Sequence, residues 1–360
     1  MRRFLWSLVI LSTLGCSNDD DVVVENESTS EFSSFTAITL DDEFIYQYNF
    51  SESSQTATSR NLTLELNIAR QVEFVHEQQA VLGFYRERMV WIRNFETDNT
   101  TLFTDFVSPG NSERREGVVN DDTHIVLLYR FPENFDELRL RVINVTNNVI
   151  SNIALGASTF AEAYLNDGKI VVTAQRENDT QLFLIDATTG EIVNEETLTN
   201  TTIRGLVFGT EDDFYLFDSV QMQYRYDING MNRLNVTETN FFASPNTFYE
   251  VRGTKVYSSF DYQQPSLFIN GPQIYDLETN EVQRIDIQNA YARYALENEL
   301  TGELRNTDFT YDPNTDAWLC NYVLANNATE TYGVFKLTND GEIIGVIETE
   351  RFVSRFLRVE

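Results

Sequence analysis

The stretch EAYLNDGKIVVT, residues 162–173, followed closely by LFLIDATTGEIVN, residues 182–194, decides how the chain folds. Each half is a run rich in Val, Ile, Leu and Tyr, cut in the middle by a polar turn containing Gly. Runs of this kind with period-2 alternation read as β-strands. Gly at Gly168 and Gly190 supplies the positive φ that a tight hairpin turn needs, and the preceding Asn or Asp supports local turn bonds. The two halves together make four antiparallel strands.

Working outward, the same pair of signatures recurs. The first half returns as VEFVHEQQAVLGFY from Val72, GVVNDDTHIVLLY from Gly117, GLVFGTEDDFYLF from Gly205, YEVRGTKVYSS from Tyr249 and FTYDPNTDAWLCNY from Phe309. Placing the turns near His76, Asn120, Asn166, Gly209, Arg252 and Asp312 gives spacings of 44, 46, 43, 43 and 60 residues. That is the period of a propeller blade. The second half returns as an outer hairpin after each, as in LRVINVTNNVISNI, YRYDINGMNRLNV and VFKLTNDGEIIGV.

Six complete units cover about residues 72 to 348. RFVSRFLRV at the C-terminus supplies one further strand, and TAITLDDEFIYQYNF with NLTLELNI before the first unit supplies two or three. A ring of blades has to hide its edges, and a C-terminal inner strand paired with N-terminal outer strands does so. The expectation is an all-β propeller of seven four-stranded antiparallel blades with a shared closing blade. Six blades, with the N-terminal strands packed outside, is the alternative.

The N-terminus carries a different message. MRRFLWSLVILSTLGC has two arginines, an apolar run from Phe4 to Leu11 and small residues before Cys16, the layout of an export signal. The run is far short of the roughly 20 apolar residues that cross a bilayer. TLGC resembles the lipobox of bacterial lipoproteins, which implies that Cys16 is lipidated, with several hydrocarbon chains forming the anchor. The acidic NDDD that follows resembles the tether of surface-exported lipoproteins in Bacteroidetes. The layout expected is a signal peptide at 1–15, an acidic flexible tether at 16–34 and a single propeller domain at 35–360.

With Cys16 used as the anchor, Cys320 has no disulfide partner, and in TDAWLCNYVL it reads as a small core residue. Net charge is −30, and −32 once Arg2 and Arg3 leave with the signal. Such a chain repels phosphate backbones, so nucleic acid is excluded as a partner class.

LIDATTGEI resembles the D-x-x-T-G turn of quinoprotein-like propellers, although Asn194 and Glu195 stand where that family places Trp, and no quinone chemistry carries over. Lipobox, acidic tether and propeller repeats together resemble the surface β-propeller lipoproteins of Bacteroidetes. That resemblance implies an outer-membrane, surface-exposed protein. Asp218-Ser219-Val220 resembles the O-glycosylation signal of the same group, with a chance three-residue match as the alternative.

With the strands of each blade lettered A (inner) to D (outer), A–B and C–D turns share one face and B–C and D–A connections the other. The first set is short and polar. The second holds VSPGNSERREG, FPENFDE, FFASPNT, DYQQPSLFINGPQ, ANNATET and the insertion NAYARYALENELTGELRN. Long loops on a rigid scaffold are where binding sits. Aromatic side chains give large contact area at low entropic cost, which makes Phe131, Phe135, Phe241, Phe242, Tyr262, Phe268, Tyr291 and Tyr294 the candidate contacts. Apolar spacing in the insertion predicts a short helix, either a lid over the channel or a brace for the blade.

Catalytic motifs are not evident. His76 and His124 have no second His or Cys at ligand spacing, and there is no G-x-S-x-G, P-loop or dinucleotide fingerprint. DPNTD, residues 312–316, has the opening spacing of a calcium loop, but Ala317 stands at the sixth position and Val323 at the twelfth. A turn is the expected reading and no cofactor is expected, with calcium left as the alternative. The reading is a non-catalytic binding or scaffold lipoprotein holding a glycan, a peptide or an outer-membrane protein on its loop face. The alternative is a surface hydrolase with an acidic metal site at the channel mouth.

Overall fold

A computed structural model describes residues 32–359, apart from 41–42, 69–73, 79–80, 87, 105–112, 157, 211, 242–249, 264–265, 267, 306–307 and 327–328. The repeats form seven antiparallel blades. Blade 3, the unit quoted first, is Phe160–Asn166, Lys169–Arg176, Asp179–Asp186 and Glu191–Leu198, paired in chain order from inside to outside. Blades 1 (74–104), 2 (114–156), 4 (203–238) and 5 (250–284) repeat that order. In blade 6 the inner strand is split into Glu303–Arg305 and Phe309–Asp312, both paired with Ala317–Asn326. Blade 7 sets the C-terminal Arg355–Val359 against Phe35–Leu40, followed by Ile45–Ser51 and Thr56–Asn61. The ring therefore closes as expected, with seven blades rather than six.

Period-2 alternation explains the packing. In blade 3, Ile170 and Val172 face blade 2 while Val171 between them faces blade 4. The same division gives seven buried apolar clusters, each lying between one pair of neighbouring blades. Ile38, Ile45, Leu62 and Leu357 meet Leu82, Phe84 and Trp91 between blades 7 and 1, which completes the circle.

The C–D turns show why Asn or Asp precedes them. Asn94, Asn144, Asp186 and Asp276 each accept two backbone N–H bonds from the residues two and three positions on, at 2.9–3.2 Å. The last turn residue lies at positive φ, as at Asp98, Asn148, Gly190, Asn280 and Gly341. Such turns fold from local sequence alone.

Three details differ from the sequence reading. His76 lies within a strand opposite Gly83 instead of at the turn, because that ladder runs on to Gln78 and Val81. NLTLELNI is not a strand: Asn61 Oδ1 accepts the Leu64 N–H at 3.0 Å and caps a short helix, α1 (Leu62–Leu66), and the third N-terminal strand is Thr56–Asn61 instead. FPENFDE is mostly strand, with its turn confined to Pro132 and Glu133, so Phe131 and Phe135 sit on strand ends.

Candidate functional site

Among the described residues, the long-loop face departs from a plain propeller at blade 5. Its outer strand is only Val282–Arg284, because Ile285 N–H bonds Pro272 O and the chain then turns into helix α2 (Ile287–Glu297). Asp286 caps that helix, its Oδ1 accepting the Asn289 N–H at 3.0 Å. Ile287 and Ala290 are buried with Leu304, Trp318 and Phe335 in the apolar seam between blades 5 and 6. Arg293 donates to the Gly341 carbonyl of blade 6 at 2.6 Å. The helix is a brace packed into that seam. A lid over the channel would not bury this face.

Beside the helix, the B–C loop of blade 5 folds back, Tyr262 N–H bonding Ile269 O at 2.9 Å. Ser266 Oγ donates to Gln288 Oε1 at 2.7 Å and accepts the Phe268 N–H at 3.0 Å, fastening loop to helix. The Tyr262 hydroxyl reaches the Ile285 carbonyl at 3.4 Å and Asp286 Oδ1 at 3.3 Å. Gly271 makes room for this ring, since a Cβ there would lie 2.9 Å from Tyr262 Cε2. Between loop and helix lies an open cleft of about 460 Å³ lined by Tyr262, Gln263, Ser266, Asp286, Gln288, Asn289 and Ala292.

Burial, with the Asp286 carboxylate adding to it, pushes the Tyr262 phenol up to about 12, so it stays a neutral hydrogen-bonding group at ordinary pH. The lining offers amides, hydroxyls, one carboxylate and an aromatic face. Ser266 Oγ is engaged with the Gln288 amide, and the lining as a whole offers hydrogen-bond donors and acceptors. A smaller cavity of about 200 Å³ lies between blades 4 and 5 around Tyr215, Arg225 and Glu278.

The candidate contacts divide. Tyr262 lines the cleft, and Tyr291 and Tyr294 belong to the helix that forms its wall. The Tyr291 ring packs into the seam between blades 5 and 6 with its hydroxyl buried, and burial raises the phenol pKa of both. Phe135 is 49 % exposed on blade 2, far along the ring. Phe131 lies under Arg139, whose guanidinium carbon is 5.1 Å from its centroid, and edge-on to Tyr129.

Two candidates are core residues instead of contacts. Phe241 is 2 % exposed and stacks on Tyr275 at 4.7 Å, and Phe268 is 4 % exposed in the seam between blades 5 and 6. Phe241 packs between blades 4 and 5 and Phe268 between blades 5 and 6. Phe242 and Cys16 lie outside the described residues. Gln263, Ser266, Asp286, Gln288 and Asn289 were not singled out from the sequence. Their signal in the sequence is D-I-Q-N, residues 286–289, a helix start beside a Gln-rich loop.

Among the described residues, no group of three or more His, Cys, Asp or Glu is placed to hold a metal ion. In DPNTD, Asp312 Oδ1 accepts the Asn314 N–H and Oδ2 the Thr315 hydroxyl, while Asp316 Oδ1 accepts from Tyr311 and Asn339. The His124 ring meets Thr123 Oγ1 at 2.8 Å beside Asp121. Cys320 is fully buried, and burial holds its thiol well above the usual range, so it is not a nucleophile. Ser219 is exposed at a B–C turn, and the Asp218 carboxylate before it accepts the Val220 and Met222 N–H groups.

No family model matches the chain, and no curated protein matches it. Solved structures do. One, from the crystal structure of a mitotic checkpoint complex, is 8 % identical with a TM-score of 0.45, covering 77 % of this chain and 79 % of that one. Another, the computationally designed Ika8 protein, is 10 % identical with a TM-score of 0.47, covering 90 % of each chain.

Proposed function

We propose that this protein is a non-catalytic binding or scaffold lipoprotein of the cell envelope, anchored through Cys16 and surface-exposed, using its long-loop face to hold a glycan, a peptide or a membrane-protein partner. The observation that carries the reading is the cleft between the blade 5 loop and α2. There an aromatic ring and several planar amides converge on one open volume. The propeller supplies the rigid support, since α2 is fixed by the seam between blades 5 and 6. The anchor rests on TLGC and the acidic tether on NDDD.

The test is a glycan and peptide array probed with the full chain and with Tyr262→Ala/Gln288→Ala. The expected result is a ligand that the native chain binds and the double variant binds at least about tenfold more weakly, a loss of about 1.4 kcal/mol. Undiminished binding by the double variant overturns the cleft as the site. Undiminished binding after removal of the long loops overturns the reading of the whole face.

A further inference from the structure

We infer that the cleft between the blade 5 loop and α2 takes an uncharged carbohydrate, with one sugar ring seated on the Tyr262 ring and its hydroxyls held by Gln263, Gln288, Asn289 and Asp286. The inference rests on the reading of this cleft as the binding site and narrows its ligand to one class.

The first observation is the aromatic platform. Tyr262 is half-buried, with Phe260 tilted against it at a centroid distance of 4.8 Å and Phe268 at 6.4 Å. Its hydroxyl is turned to the Ile285 carbonyl and Asp286, so the ring offers the cleft a fixed face more than a phenol. The π face of such a ring is negatively polarised and attracts the C–H hydrogens on the flat side of a pyranose. A platform that is already ordered stacks on a ligand at low entropic cost.

The second observation is the polar equipment around it. Gln263, Asp286, Gln288 and Asn289 are exposed and line the cleft. Among the described residues, the side-chain amides of Gln263 and Asn289 make no hydrogen bond, Gln288 uses only its Oε1, and Asp286 only its Oδ1. Each amide holds donors and an acceptor in one plane, and a carboxylate oxygen accepts. Sugar hydroxyls both give and take hydrogen bonds, and neighbouring hydroxyls present them in pairs. The lining therefore matches a polyhydroxylated ring group for group.

The third observation is what the lining lacks. Among the described residues, neither Lys nor Arg lines the cleft. Arg293 of α2 is turned to the Gly341 carbonyl of blade 6, and the Arg284 guanidinium lies over the Phe260 ring. A phosphate, sulfate or uronate group would meet the Asp286 carboxylate with no cation to pair it. Ala292 is the one aliphatic side chain of the described lining, so an apolar peptide side chain finds no pocket to fill. The volume of about 460 Å³ falls within the roughly 300–1,000 Å³ of small-ligand sites, and its openness admits a ring within a longer chain.

The experiment is calorimetry of the full chain against neutral polysaccharides (dextran, β-glucan, xylan, mannan and galactan), against dextran sulfate and polygalacturonate, and against a random peptide library. Native chain, Tyr262→Phe, Tyr262→Leu and Asn289→Leu are compared after each is shown to unfold cooperatively. At least one neutral polysaccharide should bind, with affinity constant to about twofold between low and high salt, because no ion pair contributes. Tyr262→Phe should keep that affinity to about threefold, Tyr262→Leu should lose at least about tenfold and Asn289→Leu at least about fivefold. Asn289 is exposed and its side chain unbonded, so that variant decides the matter if Tyr262→Leu does not fold. Binding confined to anionic polysaccharides or peptides, and weakened by either Leu variant, overturns the uncharged carbohydrate while leaving the cleft as the site. Neutral-sugar binding that neither Leu variant changes overturns the cleft itself. Absence of binding to every neutral polysaccharide overturns the proposal outright.

Discussion

Blade 3 and the stretch joining blades 5 and 6 are built from the same repeat and differ in everything that matters for binding. In blade 3 every strand runs its full length, and the turns between them are two to four residues. Between Arg284 and Asp312 the chain instead ends its outer strand early, inserts α2 and then splits the next inner strand around Asp308. The regular blade lines neither the cleft nor the smaller cavity. The interrupted one creates the cleft. A propeller thus gains a site where one strand gives up part of its ladder, and the cost has to be met by packing and directed hydrogen bonds elsewhere.

The sharpest way to break this comparison is to empty the core at both places. Leu184→Ala in blade 3 and Ile287→Ala in α2 both remove a fully buried side chain. Each should destabilise by about 3 kcal/mol in denaturant unfolding, because α2 is part of the core. A loss below about 1 kcal/mol for Ile287→Ala alone would mean that the helix is a loosely attached lid.

The next effect concerns the split strand. Asp308 N–H donates to Asn321 Oδ1 at 3.0 Å, and Asp308 Oδ2 accepts the Phe356 N–H of the closing strand at 2.8 Å. Burial, only partly offset by that N–H and by Arg355, pushes this carboxyl up to about 6. Its folded pKa lies above the unfolded value near 4, so the folded state binds the extra proton between those values. The stability linked to Asp308 therefore falls as pH rises from about 4 to 6. Asp308→Asn should be more stable than the native chain at pH 7, by on the order of 2 kcal/mol, with the advantage gone by pH 4. A constant difference across that range would show that the carboxyl is not desolvated.

The smallest effect belongs to the regular blade. The Asp186 carboxylate bonds Lys169 Nζ at 2.9 Å and the Thr189 and Thr188 N–H groups, which together hold its pKa below the usual range. The stability it contributes is present above the ordinary carboxylate range and is lost as pH falls through the depressed folded value. Asp186→Ala should cost about 1 kcal/mol at pH 7, with the cost shrinking as pH falls below the ordinary carboxylate range. A pH-independent cost would assign the loss to turn geometry alone.

Much of this architecture was legible in the chain. Spacing of 43 to 46 residues between polar turns set the blade, and the leftover strand at Arg351–Val359 required partners at the N-terminus. These features are local or arithmetical, and so they survive without tertiary information. The candidate site was only half legible. Tyr262 is legible as an aromatic on a long loop, and it lines the cleft. Phe241 and Phe268 share those two properties, yet they are core residues, because exposure is a property of neighbours that come from another blade.

The sequence by itself determined that the chain is all-β, that it repeats, where its turns fall and that its body is strongly acidic. Each follows from alternation, Gly and Asx chemistry, or charge, which act over a few residues or over the whole composition. Only the tertiary structure decided that there are seven blades, that α2 braces a seam and that Asp308 lies where a strand breaks. Those outcomes depend on contacts between residues tens to hundreds of positions apart, such as Asp308 with Phe356 and Thr39 with Phe352, and no local pattern encodes them.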